Sequence, residues 1–174
     1  MMWVLGVTFL VTAIDQLTKW LAVAHVRPAG SIPVIPGCFS LSYVENMGAA
    51  WGMLAGRQLY LIGFTILTLI WLVWQRKRLF GDLPGSNLAQ GLLFGGIIGN
   101  LIDRIFHGPL FAGRVIDFLD FYWGRSHFPA FNVADSAIFC GVVLCLILNW
   151  IHDRRMAKAA SSPSDPPQPE TEGR

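Results

Sequence analysis

Two aspartates in separate polar motifs are the residues best able to carry chemistry. Asp117 lies in Val-Ile-Asp-Phe at residues 115–118, and Asp135 lies in Phe-Asn-Val-Ala-Asp-Ser at residues 131–136. Two carboxylates held close together cannot both ionise easily, so one pKa rises and the pair shares a proton. One aspartate can then take a proton from water while the other protonates the leaving group. The pair predicts amide hydrolysis without a metal or a covalent intermediate.

Each aspartate also has an ordinary explanation. Asn132 and Asp135 have the spacing of a helix capping box, and an acid in a first helical turn is favoured by the helix dipole. Asp117 is also explained as a solvated loop acid, although Asp120 is the better candidate for that role. Asp117 and Asp135 are 18 positions apart, so one helix cannot juxtapose them, and the chain between them must fold back.

Further polar residues interrupt apolar sequence, where each one needs a reason. Asp15 and Lys19 are spaced i, i+4, which predicts a mutual salt bridge or the floor of a polar site. Asn100, Asp103 and Arg104 share one face of another helix. They are explained by interhelical hydrogen bonds, by an arginine that reaches the membrane interface, and by neutralisation of Asp103 by Arg104.

A run of small residues follows a third asparagine. Asn46 opens Asn-Met-Gly-Ala-Ala-Trp at residues 46–51. Small residues predict a tight backbone segment that enters or lines a cavity. Asn46 alone is equally explained as the cap of a turn.

Other catalytic motifs are absent from the sequence. It contains no HExxH, no GxSxG and no glycine-rich phosphate loop, and its four histidines are dispersed. Its three cysteines form no CxxC. We therefore expect no metal and no cofactor. The net charge of +2 gives no reason to expect a nucleic acid partner.

Composition indicates where these motifs must lie. Of the 174 residues, 53% are hydrophobic and only 14% are charged, whereas soluble domains have about 25% charged residues. The chain is therefore predicted to be an all-α membrane protein. Apolar runs near the length that crosses a bilayer predict four transmembrane helices, at residues 3–24, 58–75, 88–106 and 134–151.

Basic residues predict the orientation of these helices. Arg76, Lys77 and Arg78 lie between the second and third helices, and further basic residues follow the fourth, which predicts cytoplasmic termini. Alternating apolar and polar residues at 39–44 predict a strand, and residues 113–118 are a second possible strand of a small sheet on the outer face. We expect one domain, residues 1–160, and a disordered proline-rich cytoplasmic tail, residues 161–174.

The five motifs, in this order, resemble those of the lipoprotein signal peptidase family, also called signal peptidase II. The resemblance runs from about residue 10 to residue 151. It comprises Asp-Gln-Leu-Thr-Lys at 15–19, Asn-x-Gly-Ala-Ala at 46–50, Gly-Asn-x-x-Asp-Arg at 99–104, Val-Ile-Asp-Phe at 115–118 and Phe-Asn-x-Ala-Asp-Ser at 131–136. It departs from the family at Trp51, where phenylalanine is commoner, and at Glu45, an added acid.

The resemblance implies a fold and a reaction. The fold would be a four-helix membrane bundle with a small extracytoplasmic β-cradle. The enzyme would be an aspartic endopeptidase of the bacterial inner membrane that cuts diacylglyceryl-modified prolipoproteins before the lipidated cysteine. Membrane lipids and globomycin-type inhibitors would be its other partners, and we expect a monomer.

The resemblance also implies residue roles. Asp117 and Asp135 match the catalytic pair. A second set matches the residues that orient the pair and contact substrate: Asn46, Asn100, Arg104 and Asn132. Asp15 and Lys19 match a motif with a structural or positioning role. Two roles stay open for Arg104, which are stabilising the oxyanion and holding a carboxylate.

Three other classes of protein are alternatives for this sequence. A small transporter or proton-relay subunit would spread polar residues through the membrane and often shows two related halves. A GxGD intramembrane protease lacks its motif here, since Phe-Gly-Asp at residues 80–82 misses a glycine. A non-catalytic scaffold of lipoprotein biogenesis would not require both aspartates.

Overall fold

The fold is a helical bundle with a small antiparallel sheet at one end, in a computed structural model that describes residues 1–48, 53–81 and 83–160. Residues 49–51 of the predicted tight backbone segment, and the predicted tail at 161–174, lie outside the described residues. The helices are α1 (Met2–Leu21), which continues through a π-helical turn (Ala22–Val26) into α2 (Arg27–Ala29), then α3 (Gln58–Phe80), α4 (Ser86–Phe106) and α5 (Val133–Ala160).

A helix occupies each of the four segments that were predicted to cross the membrane, but the predicted ends differ. α3 continues to Phe80 and α5 to Ala160, beyond the predicted ends at residues 75 and 151. The predictions stopped where apolar residues stop. Arginine and lysine are good helix formers, so α3 continues until Gly81, which has a positive φ of 55°.

Three helices within the described residues are long and apolar enough to cross a membrane: Met2–Ala29, Gln58–Phe80 and Val133–Lys158. The chain is therefore a multi-pass membrane protein. α4 is not one of these three helices, and it packs against α1, α3 and α5. Many of its small and polar residues are buried, so they face protein.

Glycines on α4 allow this close packing. A Cβ at Gly95 would lie 2.7 Å from Cβ of Val11 in α1. A Cβ at Gly96 would collide with the carbonyl oxygen of Ala134 at the start of α5. Contacts this short admit only a hydrogen atom, so the backbone of α4 lies directly against both helices.

The sheet has the strand order β1-β2-β3-β4 and is antiparallel throughout. Its strands are β1 (Ser31–Ile35), β2 (Phe39–Asn46), β3 (Val115–Trp123) and β4 (Ser126–His127). β3 begins later than the predicted residue 113 and runs past the predicted residue 118. Asp117 therefore lies within the strand, opposite Val44 of β2, and not at its end.

The sheet is fixed to the bundle by a small apolar core. Ile116 and Phe118 of β3 pack on Ala22 and Val26 of the π-helical turn. The turn is thus the support on which the middle of β3 rests. This contact fixes the position of Asp117 relative to the bundle, because Asp117 lies between Ile116 and Phe118 in the strand.

Replacing Gly96 by alanine is expected to destabilise the fold by about 1–3 kcal/mol, because the added methyl group overlaps the backbone of α5. Thermal unfolding in detergent measures the loss. Gly63→Ala in α3 is the control, since a Cβ there has nothing within 4 Å among the described residues. Equal losses in the two variants would contradict the close packing of α4 on α5.

Candidate active site

Asn132 joins the two predicted catalytic aspartates. Its side chain is fully buried, and its Nδ2 donates to Oδ1 of Asp117 over 2.7 Å. Its Oδ1 accepts from the backbone N–H of Asp135 over 2.9 Å, and Oδ2 of Asp135 accepts from the backbone N–H of Asn132 over 3.2 Å. The last two bonds form the predicted capping box at the start of α5. The cap and the link to Asp117 use the same side chain.

Two further asparagines, Asn46 and Asn100, each contact one of the aspartates from another element. Nδ2 of Asn46 in β2 donates to Oδ2 of Asp117 over 3.1 Å. Nδ2 of Asn100 in α4 donates to Oδ1 of Asp135 over 2.7 Å. Each carboxylate is therefore held by two separate elements, and its two oxygens are fixed in orientation.

Asn46 also forms the turn cap that its sequence predicted. Its Oδ1 accepts from the backbone N–H of Gly48 over 2.9 Å. The amide oxygen thus organises the start of the small-residue segment while the amide nitrogen contacts Asp117. The predicted turn cap at Asn46 is therefore confirmed, and the same side chain contacts Asp117.

Lys19 is a buried cation at the base of the site. Its Nζ lies 2.8 Å from Asp15 and 2.8 Å from Asp103, and it donates to Oδ1 of Asn100 over 2.9 Å. The predicted salt bridge between Asp15 and Lys19 is present. The side chains of all three charged residues are at most 3% exposed, so their charges are compensated by one another and not by water.

The two carboxylates that pair with Lys19 also accept hydrogen bonds from α5 and β3, the elements that carry Asp135 and Asp117. Oδ1 of Asp15 accepts from the backbone N–H of Ala134 in α5 over 2.9 Å. Oδ2 of Asp103 accepts from the backbone N–H of Ile116 in β3 over 3.2 Å. The start of α5 and the middle of β3 are therefore both tied to the same ion cluster.

The prediction that Arg104 neutralises its neighbour Asp103 is wrong. Adjacent helical residues point to different faces, so Asp103 points to Lys19 while Arg104 points to the site. Arg104 donates to the carbonyl oxygens of Gly48 and Asn100 over 3.4 and 3.3 Å. Within the described part of the chain it forms no ion pair with a carboxylate, and its buried Nε has no hydrogen-bond partner.

The electrostatic environment separates Asp117 from an ordinary aspartate. Burial raises the pKa of Asp117 to about 7, and the negative charge of Asp135 acts in the same direction. Hydrogen bonds from Asn46 and Asn132 oppose this shift in pKa, since they stabilise the charged carboxylate. Asp117 can therefore hold a proton near neutral pH.

A cavity of about 600 Å³ opens beside the two aspartates. Its polar residues include Asp117, Asp135 and Arg104, and its wall is apolar and partly aromatic. The wall residues are Val115, Phe128, Pro129, Ala130, Phe131, Phe139 and Cys140. An apolar cavity with a few converging polar groups is typical of a ligand-binding or active site.

A family model described as signal peptidase (SPase) II matches residues 7–151. The chain belongs to this family. A lipoprotein signal peptidase of Syntrophotalea carbinolica is 44% identical over 145 residues, which cover 81% of this chain and 86% of that protein. A lipoprotein signal peptidase of Listeria monocytogenes is 39% identical over 155 residues and covers 86% and 94% of the two chains.

A solved structure described as a bacterial membrane enzyme is also similar. It has a TM-score of 0.68 and 31% identity, over 94% of this chain and 92% of that chain. The resemblance drawn from the five motifs is thereby confirmed, and signal peptidase II is a peptidase family by its description.

Two polar residues of this signal peptidase II chain were misjudged from the sequence. Asp120 is not a solvated loop acid: it is 7% exposed in β3 and contacts Ser42 and His127, each over 2.9 Å. Burial raises its pKa, but the hydrogen bonds from His127 and Ser42 outweigh burial and lower the pKa overall.

Gln16 belongs to the motif at residues 15–19, but no role was predicted for it. Its Nε2 lies 3.0 Å from Asp103, 3.2 Å from Asp15 and 3.1 Å from the carbonyl oxygen of Gly99. An uncharged polar residue in an apolar run, directly after Asp15, was the available signal. Gln16 completes the hydrogen bonding of the two carboxylates that face Lys19.

Replacing Lys19 by methionine is expected to destabilise the protein by about 3–5 kcal/mol, because Asp15 and Asp103 would remain buried without a cation. Thermal unfolding in detergent measures this loss. Lys77→Met, at an exposed position of α3, is the matched control and should unfold like the parent protein. A similar, small change in both variants would remove Lys19 from its supporting role.

Proposed function

We propose that the chain is an intramembrane aspartic endopeptidase. It removes the signal peptide from diacylglyceryl-modified prolipoproteins and cuts before the lipidated cysteine. The observation that carries this proposal is the bridge of Asn132 between Asp117 and Asp135 at the edge of the cavity. Membership of the signal peptidase II family supports the substrate class.

In the proposed mechanism, the two aspartates have different protonation states. Asp117 holds the shared proton, since its pKa is raised to about 7. Asp135 is the carboxylate that takes a proton from the attacking water, and donors from Asn100 and Asn132 hold its two oxygens. Asp117 then gives its proton to the nitrogen of the departing peptide.

Arg104 is proposed to stabilise the oxyanion of the tetrahedral intermediate. It lines the cavity, and its Nε is free of hydrogen bonds within the described residues. In the described part of the chain, its other donors contact backbone carbonyl oxygens and no carboxylate, so its positive charge stays available to the reacting carbonyl. Asn46 completes the proposed substrate-contacting set.

Placement in the membrane follows from the same proposal. α4 has 21 residues, and at about 1.5 Å per residue it is long enough to be a fourth span. Basic residues at the ends of α3 and α5 then lie in the cytoplasm with both termini. The aspartates and the β-cradle face the opposite side of the bacterial inner membrane, and residues 1–160 form the peptidase domain.

The cavity also accounts for the proposed partners. Its apolar wall between α5 and the sheet suits the acyl chains of a lipidated substrate. The substrate would enter sideways from the surrounding lipids. The enzyme is proposed to act as a monomer. A globomycin-type inhibitor would occupy the same space beside the aspartates. No group of three or more candidate metal ligands occurs among the described residues, and the proposed chemistry uses no metal or cofactor.

Asp117→Asn and Asp135→Asn are each expected to abolish turnover, with at least about a thousandfold loss, because each variant removes one partner of the proton exchange. The assay is cleavage of a purified precursor in detergent, with and without diacylglycerol on its lipobox cysteine. Only the lipidated precursor should be cut.

Asp120→Asn is the matched control for these variants, since it removes an acid from the same strand outside the cavity. It should keep most of the activity. Substantial cleavage by either dyad variant would exclude that aspartate from catalysis. Absence of cleavage by the folded parent protein would favour a transporter or scaffold.

The rate is expected to fall as the pH rises through about 7, because Asp117 then loses the proton that the leaving group requires. Below its pKa, Asp117 is protonated and can supply the proton that the leaving group requires. Asn46→Ala removes a hydrogen bond that lowers the pKa of Asp117, so the alkaline decline should move to higher pH. A decline that moves to lower pH in this variant would contradict the assignment of the proton to Asp117. The measurement is kcat/KM across the pH range.

A further inference from the structure

The β2–β3 ladder ends at Asn46, the residue whose side chain contacts Asp117. The last paired residues are Asn46 of β2 and Val115 of β3, and Asp117 pairs two residues further in, with Val44. Asn46 therefore reaches Asp117 diagonally across the ladder over 3.1 Å. Terminal rungs open most easily, so this contact needs support from outside the ladder.

A second diagonal pair lies at the same end of the ladder, on its opposite face. Glu45 precedes Asn46, and successive strand residues point to opposite faces. Oε2 of Glu45 lies 2.7 Å from Nη1 of Arg114, the residue directly before β3. The hydroxyl of Tyr43 donates to the other oxygen of Glu45 over 2.8 Å.

The Arg114 side of this pair is anchored to α4. The backbone N–H of Arg114 donates to the carbonyl oxygen of His107, and that of Gly113 donates to the carbonyl oxygen of Arg104, each over 3.0 Å. A Cβ at Gly113 would collide with the carbonyl oxygen of Asp103, so this corner of the chain lies against the helix end. Arg114 is therefore a fixed point to which β2 can be tied.

We propose that Glu45 and Arg114 are positioning residues, whose ion pair closes the end of the β2–β3 ladder and thereby holds Asn46 against Asp117. The proposal rests on the proposed function, since it concerns the proton held by Asp117. Glu45, an acid that departs from the family pattern, thus acts on the dyad from the far face of the sheet.

The charged groups on the site side of Asp117 come from three other elements: Lys19 from α1, Asp103 and Arg104 from α4, and Asp135 from α5. None of them belongs to the Glu45–Arg114 pair. Loss of the ion pair can therefore change the pKa of Asp117 in two distinguishable ways. One is displacement of Asn46, and the other is the direct effect of the charge removed from Glu45 or Arg114.

These two ways predict opposite results for Glu45→Gln. Displacement of Asn46 weakens a hydrogen bond to the charged carboxylate, so the alkaline decline of kcat/KM moves to higher pH. Direct loss of a negative charge would move the decline to lower pH. Arg114→Gln moves it to higher pH in either case, which makes Glu45→Gln the decisive variant.

The experiment measures kcat/KM against pH for Glu45→Gln, Arg114→Gln and the charge-exchanged double variant Glu45→Arg/Arg114→Glu. Each single variant should lose about three- to tenfold in kcat/KM, as expected for a partly exposed ion pair, and its decline should move to higher pH. The double variant should restore both properties. Arg125→Gln, which removes a charge from the exposed β3–β4 turn, is the control and should behave like the parent protein.

A decline that is unmoved or moves to lower pH in Glu45→Gln would overturn the proposal, as would failure of the double variant to restore activity. Should a charge variant fail to fold, Tyr43→Phe removes only the hydrogen bond to Glu45 and should shift the decline in the same direction, by less. An unshifted decline in Tyr43→Phe would then count against the proposal.

Failure of the proposed function has a separate signature. Infrared titration of the carboxyl groups, with Asp117→Asn as the blank, follows the proton of Asp117 without any turnover. Activity in Asp117→Asn would reject the dyad, whereas the infrared titration of Glu45→Gln would still decide whether the pair positions Asn46.

Discussion

The ammonium group of Lys19 must be balanced inside the protein, because an isolated buried charge costs several kcal/mol. Its three acceptors, on Asp15, Asp103 and Asn100, satisfy it, and each acceptor residue continues to an element that carries the site. Asp15 holds the start of α5, Asp103 holds β3, and Asn100 holds Asp135. The geometry of two aspartates on distant parts of the sequence thus depends on one cation on a third part.

Close approach of the helices makes this arrangement possible. Lys19 can reach acceptors on α4 only because glycines bring α4 against α1 and α5. At Gly99 a Cβ would lie 2.5 Å from Oδ2 of Asp15, so the carboxylate occupies the space that a side chain would fill. Small residues on α4 therefore serve the electrostatics of the site as well as its packing.

Sequence patterns predicted the helices, the salt bridge of Asp15 with Lys19, and the capping box at Asn132, because each depends on spacing within one element. They did not predict that Lys19 pairs with Asp103, since no local rule relates residues on different helices. The prediction that Arg104 neutralises Asp103 was wrong, because adjacent residues of a helix point to different faces. The buried state of Asp120 was also missed, because it depends on Ser42 and His127, which reach it only in the folded sheet.

Asp135 lines the cavity and also caps α5 together with Asn132, which is fully buried behind it. An exchange of Asp135 therefore weakens the cap of α5 as well as the proposed chemistry. An inhibitor that makes its main contacts with Asp135 would meet few tolerated escape mutations. Contacts with the apolar wall, such as Phe139 or Cys140, carry no such double constraint, so resistance to a compound that relies on them would arise more easily.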